Sequence, residues 1–108
     1  MNKCVKIEYE GKTYTLTYTK RTIQEMEQGG FDPGKVQSMP ATMIPLMFNG
    51  AFLANHRFTK EPVKNEIYQK LADKDGLFKV LGDIYDSALT ALVEEPEDEE
   101  KKVAWTVE

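Results

Sequence analysis

Val5-Lys6-Ile7-Glu8-Tyr9-Glu10-Gly11-Lys12-Thr13-Tyr14-Thr15-Leu16-Thr17-Tyr18 decides the fold. Val5, Ile7 and Tyr9 alternate with Cys4, Lys6 and Glu8, and Tyr14, Leu16 and Tyr18 alternate with the threonines at 13, 15 and 17. Period-two alternation in β-branched and aromatic residues predicts two half-buried strands. Gly11 supplies the positive φ of a tight turn, so the two strands form a hairpin. One face is aliphatic and aromatic, the other threonine and charge. A two-stranded ribbon is marginal alone, so its apolar face must lie on helices.

The chain beyond Tyr18 supplies them. Thr22-Ile23-Gln24-Glu25 fits a capping box, with Thr19 as an alternative cap three residues earlier. That first helix stops at Gly29-Gly30, carries Ile23 and Met26 inward, and leads into the turn Phe31-Asp32-Pro33-Gly34. A second helix is expected over Thr42–Asn55 with Thr42 as N-cap, which places Pro45 in the first turn where its missing amide costs nothing. Its apolar residues surround the axis, so it is either central in the core or exposes an adhesive face. Gly50, Ala51 and Ala54 allow another helix to approach closely. A third helix fits Thr59–Ala72, with Val63, Ile67 and Leu71 as a narrow stripe, and Asp73-Lys74-Asp75-Gly76 breaks the chain. The fourth and longest, Leu77–Val93, carries Leu77, Val80, Leu81, Ile84, Tyr85, Ala88, Leu89 and Leu92 in an amphipathic pattern. The expected fold is α+β and mainly helical: an N-terminal β-hairpin packed on about four α-helices, with an acidic C-terminal tail.

Charge draws the domain boundary. The chain of 108 residues has a net charge of −4. Glu94 to Lys102 alone holds six acids and two lysines, and Glu108 adds one more acid. The remaining 12 basic and 11 acidic residues leave the body at +1. Residues 1–93 are therefore expected as a globular domain and 94–108 as an acidic tail, in which Val103, Trp105 and Val107 alternate as in a short strand. A tryptophan between valines is costly to leave in water, so this segment is expected to dock. It could add a strand to the hairpin edge of its own chain or of a neighbour. A near-neutral body is not the footprint of a nucleic-acid binder, and no apolar run reaches the roughly 18 to 20 residues that cross a bilayer. One cysteine and an N-terminus without a continuous apolar segment fit the cytoplasm.

Tests for chemistry return little. His56, the single histidine, has no catalytic or ligand set around it and reads as a helix-terminal residue near a C-terminal dipole. Cys4 has no positioned base, and one Cys with one His is too few for structural zinc. Asp83 and Asp86 share a face that reads as the solvated side of the last helix, and Asp73–Gly76 lacks the ligand spacing of a calcium loop. No catalytic residue, metal or cofactor is expected. Met39, Met43 and Met47 recur every four residues. Flexible thioethers fill core gaps or, with Phe48 and Phe52 nearby, line a patch for an apolar helix from another protein.

The order of these features carries a resemblance. The hairpin with Tyr9-Glu10-Gly11-Lys12 at its turn, Met26-Glu27 followed by Gly30-Phe31, the segment Met43-Ile44-Pro45-Leu46-Met47-Phe48-Asn49-Gly50-Ala51-Phe52, and the acidic end closing on Trp105-Thr106 stand in sequence. The chain resembles small phage and prophage proteins encoded among the tail genes of siphophages of Gram-positive bacteria, the tail assembly chaperones. The resemblance spans nearly the whole chain and rests on overall pattern rather than one motif. It implies a non-enzymatic protein of the host cytoplasm that binds the phage tape measure protein and keeps it soluble during tail morphogenesis. Met43, Met47, Phe48, Phe52 and Trp105 are the candidate contact residues, and a many-copy coat would leave room for a homo-oligomer. The alternatives are a structural tail or head–tail connector component of the virion, or a small adaptor or inhibitor of a host protein.

Overall fold

The computed structural model describes residues 4–93 and 103–107. Strands β1 (Val5–Tyr9) and β2 (Lys12–Leu16) form the hairpin, followed by helices α1 (Lys20–Gln28), α2 (Pro40–Gly50), α3 (Glu61–Lys70) and α4 (Lys74–Thr90). A short 3-10 turn, Pro33–Lys35, lies between α1 and α2. The mainly helical α+β fold is the one the sequence predicts. The strands pair antiparallel with Tyr9 opposite Lys12 and Val5 opposite Leu16. Glu10 and Gly11 take φ of 50° and 78°, both positive, as a two-residue turn matched to strand twist requires. Tyr14, Leu16 and Tyr18 are buried and Val5, Ile7 and Tyr9 pack half-buried beside them, so the alternation sorts faces as expected.

The free edge of β2 is closed by side chains rather than by a strand. The Thr15 amide donates to His56 Nε2 at 2.9 Å, and Asn55 Nδ2 donates to the Thr15 carbonyl at 3.2 Å. The Thr17 amide reaches the Ala51 carbonyl at 3.1 Å. An open row of backbone groups is a template for unwanted pairing, and the segment after α2 occupies it.

Helix boundaries depart from expectation at the cap of α1, at both ends of α2 and at the start of α4. Helix α3 is two residues shorter at each end than the expected Thr59–Ala72, with Lys60 rather than Thr59 as its N-cap. For α1, Thr19 rather than Thr22 is the cap, and the Thr19 hydroxyl and Thr22 hydroxyl each accept the other's backbone amide. The expected N-cap Thr42 is overturned: α2 starts at Pro40, whose fixed φ suits a first helical position. Pro45 then falls in the helix interior, where it deprives the Ala41 carbonyl of its amide partner. Both residues are exposed, so that carbonyl lies on the solvent side of the helix. The helix ends at Gly50 rather than Asn55, because the amides of Ala51, Phe52 and Leu53 bond three residues back, to Phe48, Asn49 and Gly50. Nor is Asp73–Gly76 a break. Asp73 takes φ 50° and its side chain accepts the Gly76 amide, so it caps a helix that starts at Lys74, three residues before the expected start.

The core gathers the apolar face of the hairpin, α1, α2 and the inner stripes of α3 and α4. Gly50 earns its place there, since a methyl group on it would overlap Met26 of α1. On α3, Ile67 is buried, with Val63 and Leu71 half-buried, while Lys64 lays its stem on the core and reaches Glu61 at 3.0 Å. Leu81, Ile84 and Tyr85 are the buried residues of α4. Val80 and Leu92, expected inward, are exposed: Val80 lies about 100° around the helix from Leu81, and Leu92 lies beyond the end of α4 at Thr90. The expected strand over Val103–Val107 is not formed, and its side chains are exposed. The Glu94–Lys102 spacer and the boundary it marks lie outside the described residues.

Candidate functional site

α2, α4 and the Phe31–Val36 connection enclose a groove of about 320 Å³. Its position follows from local structure. The turn after α1 buries Phe31 edge-on against Tyr85 of α4, with ring centroids 5.4 Å apart. Asp32 caps the 3-10 turn by accepting the Gly34 amide at 2.9 Å, and its own amide donates to Met43 Sδ at 3.4 Å. These bonds hold Pro33 and Val36 as one wall. The other wall is a single stripe of α4: Asp75, Phe78, Gly82 and Asp86, spaced three, four and four residues apart. At a rise of about 1.5 Å per residue that stripe is roughly 16 Å long, about three turns of a helix laid alongside. Ile44 and Met47 of α2 complete the lining.

The groove is apolar along its length and acidic near its ends. Phe78, Ile44 and Val36 are half-buried, whereas Asp75 and Asp86 are exposed. Gly82 keeps the middle open, since a methyl added there would meet only Met47 Cε, at 3.9 Å. Tyr85 is buried beneath it, and its hydroxyl, closed from solvent, has no hydrogen-bond partner among the described residues. Burial first, and then the carboxylates of Glu27, Asp32 and Asp86, raises its pKa above the ordinary phenol value. Tyr18, stacked edge-on against Tyr85 at 5.4 Å, differs because its hydroxyl donates to the Met47 carbonyl at 2.6 Å. Its pKa is also raised, by burial and then by Tyr85.

The candidate contact residues fall in two places. Met43, Met47, Phe48 and Phe52 are core residues, 8% exposed or less. Phe48 stacks edge-on with Phe52 at 5.2 Å and with Tyr68 at 5.3 Å, and Phe52 with Tyr14 at 5.7 Å. The folded domain therefore offers none of the four as open surface, and Met47 alone borders the groove. Trp105 is 81% exposed in a segment outside it. His56 is not the residue of a helix C-terminus. Its Nε2 accepts a strand amide, its ring lies edge-on to Tyr14 at 5.2 Å, and burial together with nearby Lys12 lowers its pKa, the opposite of a dipole's effect.

Sequence reasoning missed Ile44, Phe78, Gly82, Asp75 and Asp86 as one surface, although the spacing of the four α4 residues is readable once they share a helix. It also missed Phe58, 93% exposed between two shallower depressions that share Asn55 and Arg57. Those depressions are lined chiefly by polar and basic side chains, so of these three the α2–α4 groove best suits an apolar ligand. Among the described residues no cluster of metal-ligating side chains occurs, and no helix is long and apolar enough to cross a membrane.

Fold and groove together define a small domain of a hairpin and four helices that carries an apolar surface groove between α2, α4 and the Phe31–Val36 connection. A family model described as a domain of unknown function (DUF5055) matches residues 1–108, and the chain belongs to that family. No curated protein and no solved structure matches it.

Proposed function

We propose that this is a binding protein of the phage-infected cytoplasm, a tail assembly chaperone that holds helical segments of a tape measure protein soluble until the tail forms. The observation that carries the reading is the groove: three helical turns of apolar wall with a carboxylate near each end. An amphipathic helix would lay its apolar stripe on Phe78, Ile44 and Val36 and set Lys or Arg beside Asp75 and Asp86, a helix-in-groove mode. The resemblance to tail assembly chaperones supplies the partner, and the groove supplies a means of holding it. Charges at the rim steer and align such a partner, while the apolar contact gives most of the affinity.

Gly82→Gln tests it. A Cβ at position 82 meets only Met47 Cε, at 3.9 Å, and Gly82 lines the groove, so the longer side chain is placed to fill it, while replacing glycine favours the helix by up to about 1 kcal/mol. Tape measure fragments co-expressed with the wild-type protein should stay soluble and co-purify, and with Gly82→Gln they should precipitate. Equal recovery of the fragments with wild type, with Gly82→Gln and with no partner would sink the proposal.

A further inference from the structure

The hairpin has two edges, and among the described residues only one is closed. Thr15 faces outward from β2 and bonds both its backbone groups to Asn55 and His56. Lys6 is paired with Thr15, and Glu8 with Thr13, so their backbone groups point outward from β1 on the opposite side. Among the described residues no backbone or side-chain bond is made to that outer row. The same molecule carries an unpaired segment, Val103-Ala104-Trp105-Thr106-Val107, with its valines and tryptophan more than four-fifths exposed. Alternation puts those three side chains on one face of an extended strand, and Ala104 and Thr106 on the other.

We propose that the Val103–Val107 segment of one copy adds to the β1 edge of a second copy as an antiparallel third strand, with Trp105 opposite Ile7. Three features select this partner and this register. In it Val103, Trp105 and Val107 cover Tyr9, Ile7 and Val5, the three half-buried members of the core-facing row. Ala104 and Thr106 fall beside Glu8 and Lys6 on the polar face. Charge fixes the direction: continued by one residue, the antiparallel register sets Lys102 opposite Glu10 and diagonal to Glu8, and Glu108 at the Lys6 end. A parallel strand would set Lys102 diagonal to Lys6 and Glu108 opposite Glu10. A second copy is favoured over the chain's own edge because the single chain leaves the segment exposed. β1 shares no residue with the α2–α4 groove, so this surface is independent of the proposed partner site.

Trp105 is the only tryptophan, so its fluorescence reports on its own docking. The full-length protein should sediment as a concentration-dependent oligomer, with tryptophan emission shifting blue as the oligomer fills. Trp105→Ala should weaken association by more than about thirtyfold, as loss of a central aromatic anchor does. Glu8→Lys should weaken it about fivefold, and Lys102→Glu added to that variant should restore it. A monomer at all concentrations with red, solvent-exposed emission overturns the proposal. So does a monomer with blue emission, which would place the segment on its own chain, and so does an oligomer that survives Trp105→Ala.

Discussion

Removing one oxygen from each of two touching tyrosines should move stability in opposite directions. Tyr18 and Tyr85 are both nearly fully buried and their rings meet edge-on at 5.4 Å. The Tyr18 hydroxyl donates to the Met47 carbonyl at 2.6 Å. That carbonyl would accept the Ala51 amide if α2 continued, but Ala51 bonds Phe48 instead, at 3.2 Å. Tyr18→Phe thus leaves a buried acceptor without its side-chain donor, a loss of about 1–3 kcal/mol. For a domain of this size each kcal/mol corresponds to roughly 4–8 °C in Tm. Tyr85→Phe deletes a hydroxyl that is closed from solvent with no partner among the described residues, so the folded state loses only a desolvated polar group. The expected change runs from nothing to about 1 kcal/mol of stabilisation. Both rings remain, so the aromatic contact is held constant. Urea unfolding followed by circular dichroism reads the difference as opposite shifts in midpoint at unchanged slope. A Tyr85→Phe variant as destabilised as Tyr18→Phe would refute the reasoning, because it would mean the Tyr85 hydroxyl is bonded in the native protein.

Four further outcomes follow from single contacts. Gly50→Ala drives a methyl into Met26 and should cost about 1–3 kcal/mol by urea unfolding, less when Met26→Ala is already present. Asp73→Ala loses the cap on Gly76 and keeps a left-handed backbone that alanine resists, for a loss of about 2 kcal/mol, whereas Asp73→Asn should be near neutral by thermal melt. His56 has a folded-state pKa below its unfolded value of about 6.5, so its contribution is whole above that pH and is lost as pH falls through the depressed folded value. His56→Gln, which retains an acceptor for the Thr15 amide, should flatten that part of the Tm–pH curve. Finally, Gly82→Gln should leave self-association intact and Trp105→Ala should leave partner binding intact, read by sedimentation and pull-down on the same two variants.

The hairpin was legible almost residue by residue because its alternation, its turn glycine and its register each specify the same faces. Helix positions were legible and helix ends were not. Thr42 offers a hydroxyl to cap with and Pro40 offers only a fixed φ, yet the proline is what starts α2, and Pro45 is accommodated because its side of the helix is wet. Asp73 reads as a break, since four residues rich in Asp, Lys and Gly suit a turn. Whether such a cluster breaks or caps depends on whether the backbone enters the left-handed region, which the neighbouring packing decides. His56 was misplaced for a related reason. The segment after Gly50 keeps the apolar pattern of a helix but spends its polar groups on the edge of β2.

An apolar helix circumference has two physical outcomes, burial on all sides or an exposed adhesive face, and composition cannot separate them. In α2 burial prevails except on the side of Ala41 and Pro45, which is wet. Met43, Met47 and Phe48 enter the core, as does Phe52 just beyond the helix, while Gly50 admits Met26. Of its large aliphatic side chains, Ile44 and Leu46 are half-buried, and Ile44 opens on the groove. The apolar surface that the core does not absorb includes the α4 stripe around Phe78, the ring of Phe58 and the Val103–Val107 segment, beside scattered exposed side chains such as Met39 and Val80. The binding surfaces proposed for this protein therefore lie where an apolar side chain sits beside a complementary charge. Phe78 stands between Asp75 and Asp86, and Trp105 follows Lys101 and Lys102. The methionine run that first suggests adhesion is the structural support beneath one of them, for Met43 anchors the Asp32 turn and Met47 underlies the groove.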